Sequence, residues 1–263
     1  MIKIGFVCLF VVLFATPICF AKEDKLGSIF GKWITDSNGP MTGAQVLLFD
    51  LAVAPPPSSD KYLRVPDAKT TIDNSGKFSV KIAAGRYHLV MRKRANGRLA
   101  GPPQDGDLHY YSRDKEGKAM PFIVIAGAET DLGTISEATV FKKRQLIYEK
   151  GMTAIEGTVI NEKGLPVEGV QVLVYTSKEI QGKPKYVSES TDKEGKYLVF
   201  VASKGSYYLG ARNHYGGGKP VNGEFMGGHG EITAPTAVEV IKGEITKGIN
   251  ITIQKFAVKG RPE

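Results

Sequence analysis

The sequence predicts an all-β protein made of two tandem β-sandwich domains. One order of motifs occurs twice, so that Gly31 recurs as Gly157 and Gly76 recurs as Gly195. Short apolar runs alternate with turns rich in Gly, Asn and Asp, at about seven runs per repeat, which is typical of a sandwich. Helical periodicity is weak and confined to residues 142–150. Two copies of one fold, with length changes placed in loops, explain these observations together.

Strand and turn signals recur in both copies. Residues 45–49 and 170–175 are apolar runs rich in β-forming side chains. Turns that begin with Asp or Asn and end with Gly recur at residues 36–39, 73–76, 161–164 and 192–195. In such turns the Asp or Asn side chain bonds nearby backbone and Gly supplies a positive φ. A calcium loop would need alternating carboxylates and a distal Glu, so we interpret these segments as hairpin turns.

Three aromatic residues are predicted to lie in the cores. Tyr87 and Tyr207 occupy equivalent strands, and we expect each ring to be buried with its hydroxyl at a domain edge. Trp33 is the single tryptophan and lies in the first predicted strand, where packing is its commonest role.

The domain boundaries follow from the repeat. We predict a signal peptide at 1–21, a first sandwich at 22–139, a linker at 140–152, a second sandwich at 153–256 and a polar tail at 257–263. Because the linker is short, we expect the two sandwiches to be coupled semi-rigidly.

Residues 1–21 have the features of a secretory signal. Lys3 precedes an apolar run over residues 4–14, and cleavage is expected after Ala21. An uncleaved anchor is the alternative, but the run is short for a membrane span and Pro17 follows it. The residues before Cys19 do not suit a lipoprotein signal. We therefore expect an exported bacterial protein without a transmembrane segment in the mature chain, either periplasmic or at the cell surface.

Cysteine content and charge limit the chemistry. Both cysteines, Cys8 and Cys19, lie in the signal, so the mature chain has no thiol for a disulfide, a zinc site or an iron–sulfur cluster. The formal net charge is +8, and Lys3 is the only charged residue within 1–21. A modest positive charge favours an anionic envelope surface or an acidic glycan as a partner. No dense basic stripe indicates nucleic acid.

The repeated motifs resemble the carboxypeptidase regulatory-like module. The second copy carries the clearer match, at residues 157–159, 166–172, 191–197 and 205–207. The first copy departs at Met41, since its proline is one place earlier at Pro40, and it carries an insertion at 51–69. The resemblance implies two transthyretin-like or immunoglobulin-like sandwiches, of a kind often grouped with carbohydrate-binding-like folds. It specifies fold better than function.

Catalytic motifs are lacking in the sequence. A zinc carboxypeptidase needs a His-x-x-Glu pair, and none of the four histidines has Glu or Asp three places later. No G-x-S-x-G elbow is present. We therefore expect no enzyme activity and no cofactor.

Two long segments are the candidate binding sites. Residues 98–114 and 213–229 leave the alternating pattern at equivalent points and are rich in Gly, Tyr, His, Arg and Asn. Long loops on a rigid scaffold often bind ligands, and tyrosine faces stack on sugars or peptides. The candidate ligand-binding residues are His109, Tyr110, Tyr111, Arg113, His214, Tyr215 and Asn222. Alternatively, these aromatic side chains fold back and cap the sandwich.

Two functional hypotheses remain open at the level of sequence. The first is a non-enzymatic exported binding module at the envelope, with a glycan as the candidate ligand. The second is a structural or assembly subunit of an envelope or extracellular complex, with a protein partner.

Overall fold

The computed structural model describes residues 26–37, 39–58, 63–97, 101–142, 151–180, 182–214, 219–231 and 233–257. The predicted signal peptide and most of the predicted linker lie outside these ranges. Within the ranges all helix and strand assignments are β, which confirms the predicted fold class. None of the described residues belongs to a helix with the length and apolarity of a membrane span.

Ten strands are found among the described residues of the first repeat. They are β1 (Leu26–Trp33), β2 (Gln45–Asp50), β3 (Leu63–Arg64), β4 (Ala68–Thr71), β5 (Lys77–Ala83), β6 (Gly85–Lys93), β7 (Leu108–Tyr111), β8 (Phe122–Val124), β9 (Glu129–Ile135) and β10 (Thr139–Val140). One layer has the order β5–β1–β9, with β1 and β9 parallel. The other has the order β10–β7–β6–β2–β4, with β8 also paired to β6. The core between the layers includes Trp33, Leu48, Leu89 and Met91.

The described part of the second repeat contains eleven strands. They are β11 (Ala154–Asn161), β12 (Gln171–Tyr175), β13 (Tyr186–Ser190), β14 (Lys196–Phe200), β15 (Gly205–Arg212), β16 (Phe225–Gly228), β17 (Gly230–Glu231), β18 (Ala234–Pro235), β19 (Val238–Val240), β20 (Ile245–Thr246) and β21 (Ile251–Lys255). The neighbours repeat those of the first copy, with β11 between β14 and the parallel β21, and β15 beside β12. In addition, β16 pairs with β21 and joins the two layers into one sheet. Ile155, Val159, Leu209 and Ile251 lie in this core.

The predicted core aromatics are confirmed. Trp33 is fully buried, and Tyr87 and Tyr207 are nearly so. The Tyr87 hydroxyl donates to the carbonyl of Ala83 at 3.0 Å, and the Tyr207 hydroxyl donates to the carbonyl of Ser203 at 2.8 Å. Each hydroxyl is therefore bonded to backbone that precedes its strand, at the edge of the sandwich.

The hairpin turns are confirmed with one exception. Asp73 Oδ1 accepts backbone N–H bonds from Ser75 and Lys77 at 2.8 and 2.9 Å, and Gly76 has a φ of 82°. At residues 36–39 the hydroxyl of Thr35 takes this role instead and accepts the N–H of Gly39 at 3.0 Å. In this turn the side chain of Thr35, the residue before the predicted Asp, bonds the backbone.

The strand that lies parallel to the first strand ends or is interrupted early in both repeats. In the first repeat β9 ends at Ile135, and the following β10 belongs to the other layer. In the second repeat β20 and β21 are separated by a segment in which Gly248 has a φ of 76°. The Ile249 carbonyl there accepts the Tyr197 hydroxyl at 2.7 Å instead of a ladder bond.

The insertion at residues 51–69 contacts the second repeat. Strand β3 pairs with β13, with Leu63 opposite Val187 and Arg64 opposite Tyr186. Leu63 packs on an apolar cluster of the second repeat. The ammonium group of Lys183 lies 3.1 Å from a carboxylate oxygen of Asp67. A segment of the first sandwich thus extends the sheet of the second.

Buried hydrogen bonds hold this insertion in place. The guanidinium group of Arg64 donates to the carbonyls of Asp50, Ala54 and Pro55 and to the carboxylate of Asp67, at 2.6–3.1 Å. The Arg64 side chain is almost fully buried. One arginine therefore ties both ends of the insertion together beside the junction.

Candidate functional site

The structure places the predicted binding residues in different settings. His109, Tyr110 and Tyr111 belong to strand β7, which pairs with β6, so this part of the expected long loop is sheet. Arg113 follows the strand and is exposed. In the second repeat His214 and Asn222 are exposed, whereas Tyr215 lies outside the described residues.

Strand alternation separates the three β7 side chains. Tyr110 packs against the core of the first sandwich. Burial is the main cause that raises the pKa of its hydroxyl, and the charge of Glu137 adds to it. His109 and Tyr111 lie on the outer face of the sheet, with their ring centroids 4.7 Å apart in an edge-to-face contact. The guanidinium carbon of Arg113 lies 5.4 Å from the centroid of the Tyr111 ring. Tyr110 and Tyr111 therefore already contact other side chains of the protein.

The outer face of this sheet carries a cleft, which we call the outer cleft. Its floor consists of side chains from β2, β6 and β7, namely Leu47, Phe49, Val90, Arg92, His109 and Tyr111. Its walls are residues 57–58, 63–64 and 66 of the insertion, residues 101–103, and Val187 of the second repeat. The cavity volume is about 50 Å³. His214 and Asn222 do not line it, so the structure does not bring the two predicted segments into one site.

A buried ion pair that the sequence did not predict lies at the base of each long segment. In the first repeat, Arg94 Nη1 lies 2.8 Å from Asp107 Oδ2. In the second, Arg212 contacts both carboxylate oxygens of Glu224, at 2.5 and 2.7 Å. In the sequence, these pairs could have been suspected from the acidic residue directly before each of the equivalent strands β7 and β16. Each ion pair joins the end of one strand, β6 or β15, to the residue directly before the next strand, β7 or β16.

A serine–histidine contact lies below the outer face. The hydroxyl of Ser112 lies 3.1 Å from His88 Nδ1 and donates to the carbonyl of Met120 at 2.7 Å. Since its single proton goes to that carbonyl, His88 Nδ1 is the donor toward Ser112. Ser112 is fully buried and His88 nearly so. This arrangement does not activate Ser112 as a nucleophile, because the imidazole donates to the hydroxyl instead of removing its proton.

Burial keeps His88 neutral. Desolvation, assisted by the charges of Arg113 and Arg64, lowers the pKa of His88 to about 4. Desolvation likewise lowers the pKa of His109, although the nearby Asp107 opposes it. In the described part of the chain, no three His, Cys, Asp or Glu side chains group as metal ligands.

We expect stability to fall with acidification because of His88. Below pH 6.5, the ordinary pKa of histidine, His88 is protonated in the unfolded chain. In the folded chain it stays neutral until the pH falls to about 4. Replacing His88 with Asn should therefore reduce the loss of unfolding free energy between pH 6.5 and pH 4 by up to about 3 kcal/mol. Urea unfolding of both proteins between these pH values measures the difference. His229→Asn is the matched control, and equal slopes for the wild type and H88N would contradict the assignment.

Comparisons with known proteins do not place the chain in a family. No family model and no curated protein sequence matches it. The resemblance to the carboxypeptidase regulatory-like module therefore stays a prediction.

Solved structures that match over most of the chain are distant. The Bacillus anthracis TIE protein is 14% identical, with 88% of this chain and 34% of that chain covered, at a TM-score of 0.26. A streptococcal ancillary pilin is 11% identical, and the match covers 88% of this chain and 63% of the pilin at a TM-score of 0.24. A DUF3823 family protein from Bacteroides uniformis is 12% identical, and the match covers 83% of this chain and 99% of that protein at a TM-score of 0.26. The chain spans about a third of the TIE protein and less than two thirds of the pilin. Scores this low carry no inference about fold or function.

Proposed function

We propose that this chain is an exported, non-enzymatic structural or assembly protein of a bacterial cell envelope or surface, with a protein partner. The observation that carries the proposal is the strand pairing of β3 with β13, which makes one sheet from segments of both repeats. Proteins that hold partners at fixed spacing need coupled modules, and a shared sheet supplies that coupling.

The contacts at the junction are of the kind that resist hinge motion. Leu63 of the insertion packs against Leu173, Tyr175, Val187 and Tyr208 of the second repeat. Full burial of a leucine side chain is worth about 1.5–3 kcal/mol, and Leu63, which is half-buried, contributes less than that. The Lys183–Asp67 pair is partly exposed, so its contribution is within about 1 kcal/mol. Apolar packing and backbone hydrogen bonds therefore provide most of the coupling.

The outer-face residues favour this proposal over a glycan platform. Sugar-binding tyrosines present open ring faces. Here Tyr110 packs on the core and Tyr111 is in contact with His109 and Arg113. The Ser112–His88 geometry also gives no support to a hydrolase.

We expect Leu63→Asp to uncouple the two repeats. The carboxylate would be buried in the apolar cluster at the junction, and the segment carrying β3 should leave β13. Backbone ¹⁵N relaxation should give one rotational correlation time for both repeats in the wild type and shorter, separate times in L63D. Val53→Asp changes an exposed residue of the same insertion and should leave the single correlation time intact. Separate times already in the wild type would contradict the coupled unit.

The partner is tested by a pull-down with residues 22–263 as bait. We expect a fixed set of envelope proteins to be retained from native extract by the wild type and by Val53→Asp. Leu63→Asp should retain less if the spacing of the modules is recognised. Retention on insoluble polysaccharide that soluble sugar competes away, without retained proteins, would replace this proposal with the glycan-binding alternative.

A further inference from the structure

Strand β4 lies at an open edge of the first sandwich. Within the described chain its only sheet neighbour is β2, so no described strand pairs with its opposite edge. An edge strand presents a row of backbone N–H and C=O groups that can pair with an extended segment of another chain. The four residues of β4 are enough for such a pairing, since β3 pairs with β13 over only two residues.

The second repeat has the same edge with a strand added to it. Equivalent hydrogen bonds fix the end of β4 and of β13, because the Ile72 N–H donates to the Ala44 carbonyl and the Thr191 N–H donates to the Val170 carbonyl, both at 2.8 Å. On β13, strand β3 pairs antiparallel along the side that faces away from β12. The open edge of β4 is therefore the position at which the second repeat carries an additional strand.

The hydrogen bonds of β4 show which of its backbone groups point outward. In an antiparallel pair, successive residues alternate between bonding the partner strand and facing away from it. The N–H of Ile72 bonds Ala44, and the register between β2 and β4 is regular from there to the start of β4. The N–H and C=O groups of Lys69 and Thr71 consequently point away from β2. Both residues are exposed.

Charge favours an acidic segment over a second copy of this edge. Lys69 is the only charged residue of β4. Antiparallel pairing of two β4 edges would place two Lys69 side chains on facing strands, and like charges in that arrangement are destabilising. A Glu or Asp side chain across from Lys69 would be stabilising instead. The occupant that this edge fits is thus an extended segment of a different, acidic chain.

We propose that the edge of β4 binds an extended acidic segment of the protein partner by antiparallel strand addition. The backbone groups of Lys69 and Thr71 pair with that segment, and Lys69 contacts its carboxylate. This inference rests on the proposed assembly function and adds the surface that receives the partner. Only residues 65–67 separate β3 from β4, so the partner would bind next to the junction that couples the two repeats.

The test is an NMR titration of ¹⁵N-labelled residues 22–263 with the acetylated and amidated peptide Thr-Val-Glu-Val-Thr. We expect saturable shifts of the Lys69 and Thr71 amide signals, with a Kd of about 1 mM or tighter. A peptide with Lys in place of Glu should bind about threefold more weakly. A peptide methylated at every backbone nitrogen should not bind, because it cannot donate to the edge.

Strand β5 serves as an internal control for this titration. It also lies at the edge of its sheet, and it carries Lys77 and Lys81. Equal shifts in β5 and β4 would mean that the peptide pairs with any open edge, and they would overturn the proposal. Absent shifts at Lys69 and Thr71 would overturn it as well.

Variants of Lys69 separate backbone pairing from charge. Lys69→Glu should reverse the preference, so that the Lys peptide binds about threefold more tightly than the Glu peptide, whereas Lys81→Glu should leave the preference unchanged. Lys69→Pro removes an outward N–H and keeps the pairing with β2, so it should abolish binding of both peptides. Should Lys69→Pro fail to fold, the methylated peptide tests the same hydrogen bonds. An unaltered preference in Lys69→Glu would contradict the proposed contact.

The envelope pull-down distinguishes this inference from the proposed function. Lys69→Pro as bait should lose the proteins that the wild type retains. Equal retention by both baits would refute binding at β4 and leave the assembly function standing. Specific peptide binding at β4 without any retained envelope protein would support strand addition and contradict the assembly function.

Discussion

Replacing Gly157 with Ala should lower the free energy of unfolding of the second sandwich by about 4 kcal/mol or more. Gly157 lies in β11 where this strand passes the interruption between β20 and β21. A Cβ atom at this position would overlap the carbonyl oxygen of Ile249 and would lie 3.0 Å from the ring of Tyr197. The same carbonyl accepts the Tyr197 hydroxyl, so it cannot retreat without loss of that bond.

The first repeat offers a matched control for this prediction. Gly31 is the equivalent residue, but a Cβ there would lie 3.1 Å from the Gly133 carbonyl and from the Phe78 ring. A shift of a few tenths of an ångström relieves such contacts, so Gly31→Ala should cost about 1–2 kcal/mol. Gly210→Ala meets only ordinary contacts at 3.6 Å or more and should be near neutral. Urea unfolding of the three variants measures the order, and a G157A variant as stable as G210A would contradict the argument.

This contrast explains why the motif glycine was informative at the sequence level. Glycines that recur at equivalent positions mark close backbone approach, since Gly31 lies close to the Gly133 carbonyl and Gly157 lies close to the Ile249 carbonyl. Local turn chemistry was likewise readable, because Asp73 bonds residues two and four places along the chain. Such signals depend on near neighbours in sequence, and they predicted the fold class and the core aromatics.

The candidate site depended on distant pairings that the sequence does not encode locally. Segment 98–114 resembles a loop because of its Gly and Pro residues, yet Leu108–Tyr111 completes the edge of β6. The pairing of Leu63 with Val187 joins residues of different repeats and has no local pattern. The burial of Leu47 and Phe49 outside the sandwich core follows only once the insertion is in place. The two predicted tyrosines of β7 accordingly turned out to face opposite sides of the sheet.

Breaking the Arg212–Glu224 ion pair should also lower the free energy of unfolding by several kcal/mol. The Glu224 side chain is 1% exposed and that of Arg212 is 10% exposed. Glu224→Leu would leave the guanidinium group buried without its counter-charge, at a cost of about 3–5 kcal/mol. The double variant Arg212→Leu with Glu224→Leu should be more stable than either single variant, because no charge is then stranded. Lys183→Gln, which removes an exposed pair, should cost at most about 1 kcal/mol.

The same pair predicts a loss of stability in acid. Burial alone would raise the pKa of Glu224, but the hydrogen bonds from Arg212 and from the Val221 N–H hold it below its usual value. The stabilisation is therefore complete above the pKa of the unfolded chain, about 4.3, and is lost as the pH falls through the lower folded value. Urea unfolding at pH 3 to 6 should show a larger loss of stability in the wild type than in the double variant, because the loss expected from His88 is common to both proteins. A double-mutant cycle with a coupling energy near zero at pH 7 would contradict the pair, because bonds of 2.5 and 2.7 Å in a buried setting require strong coupling.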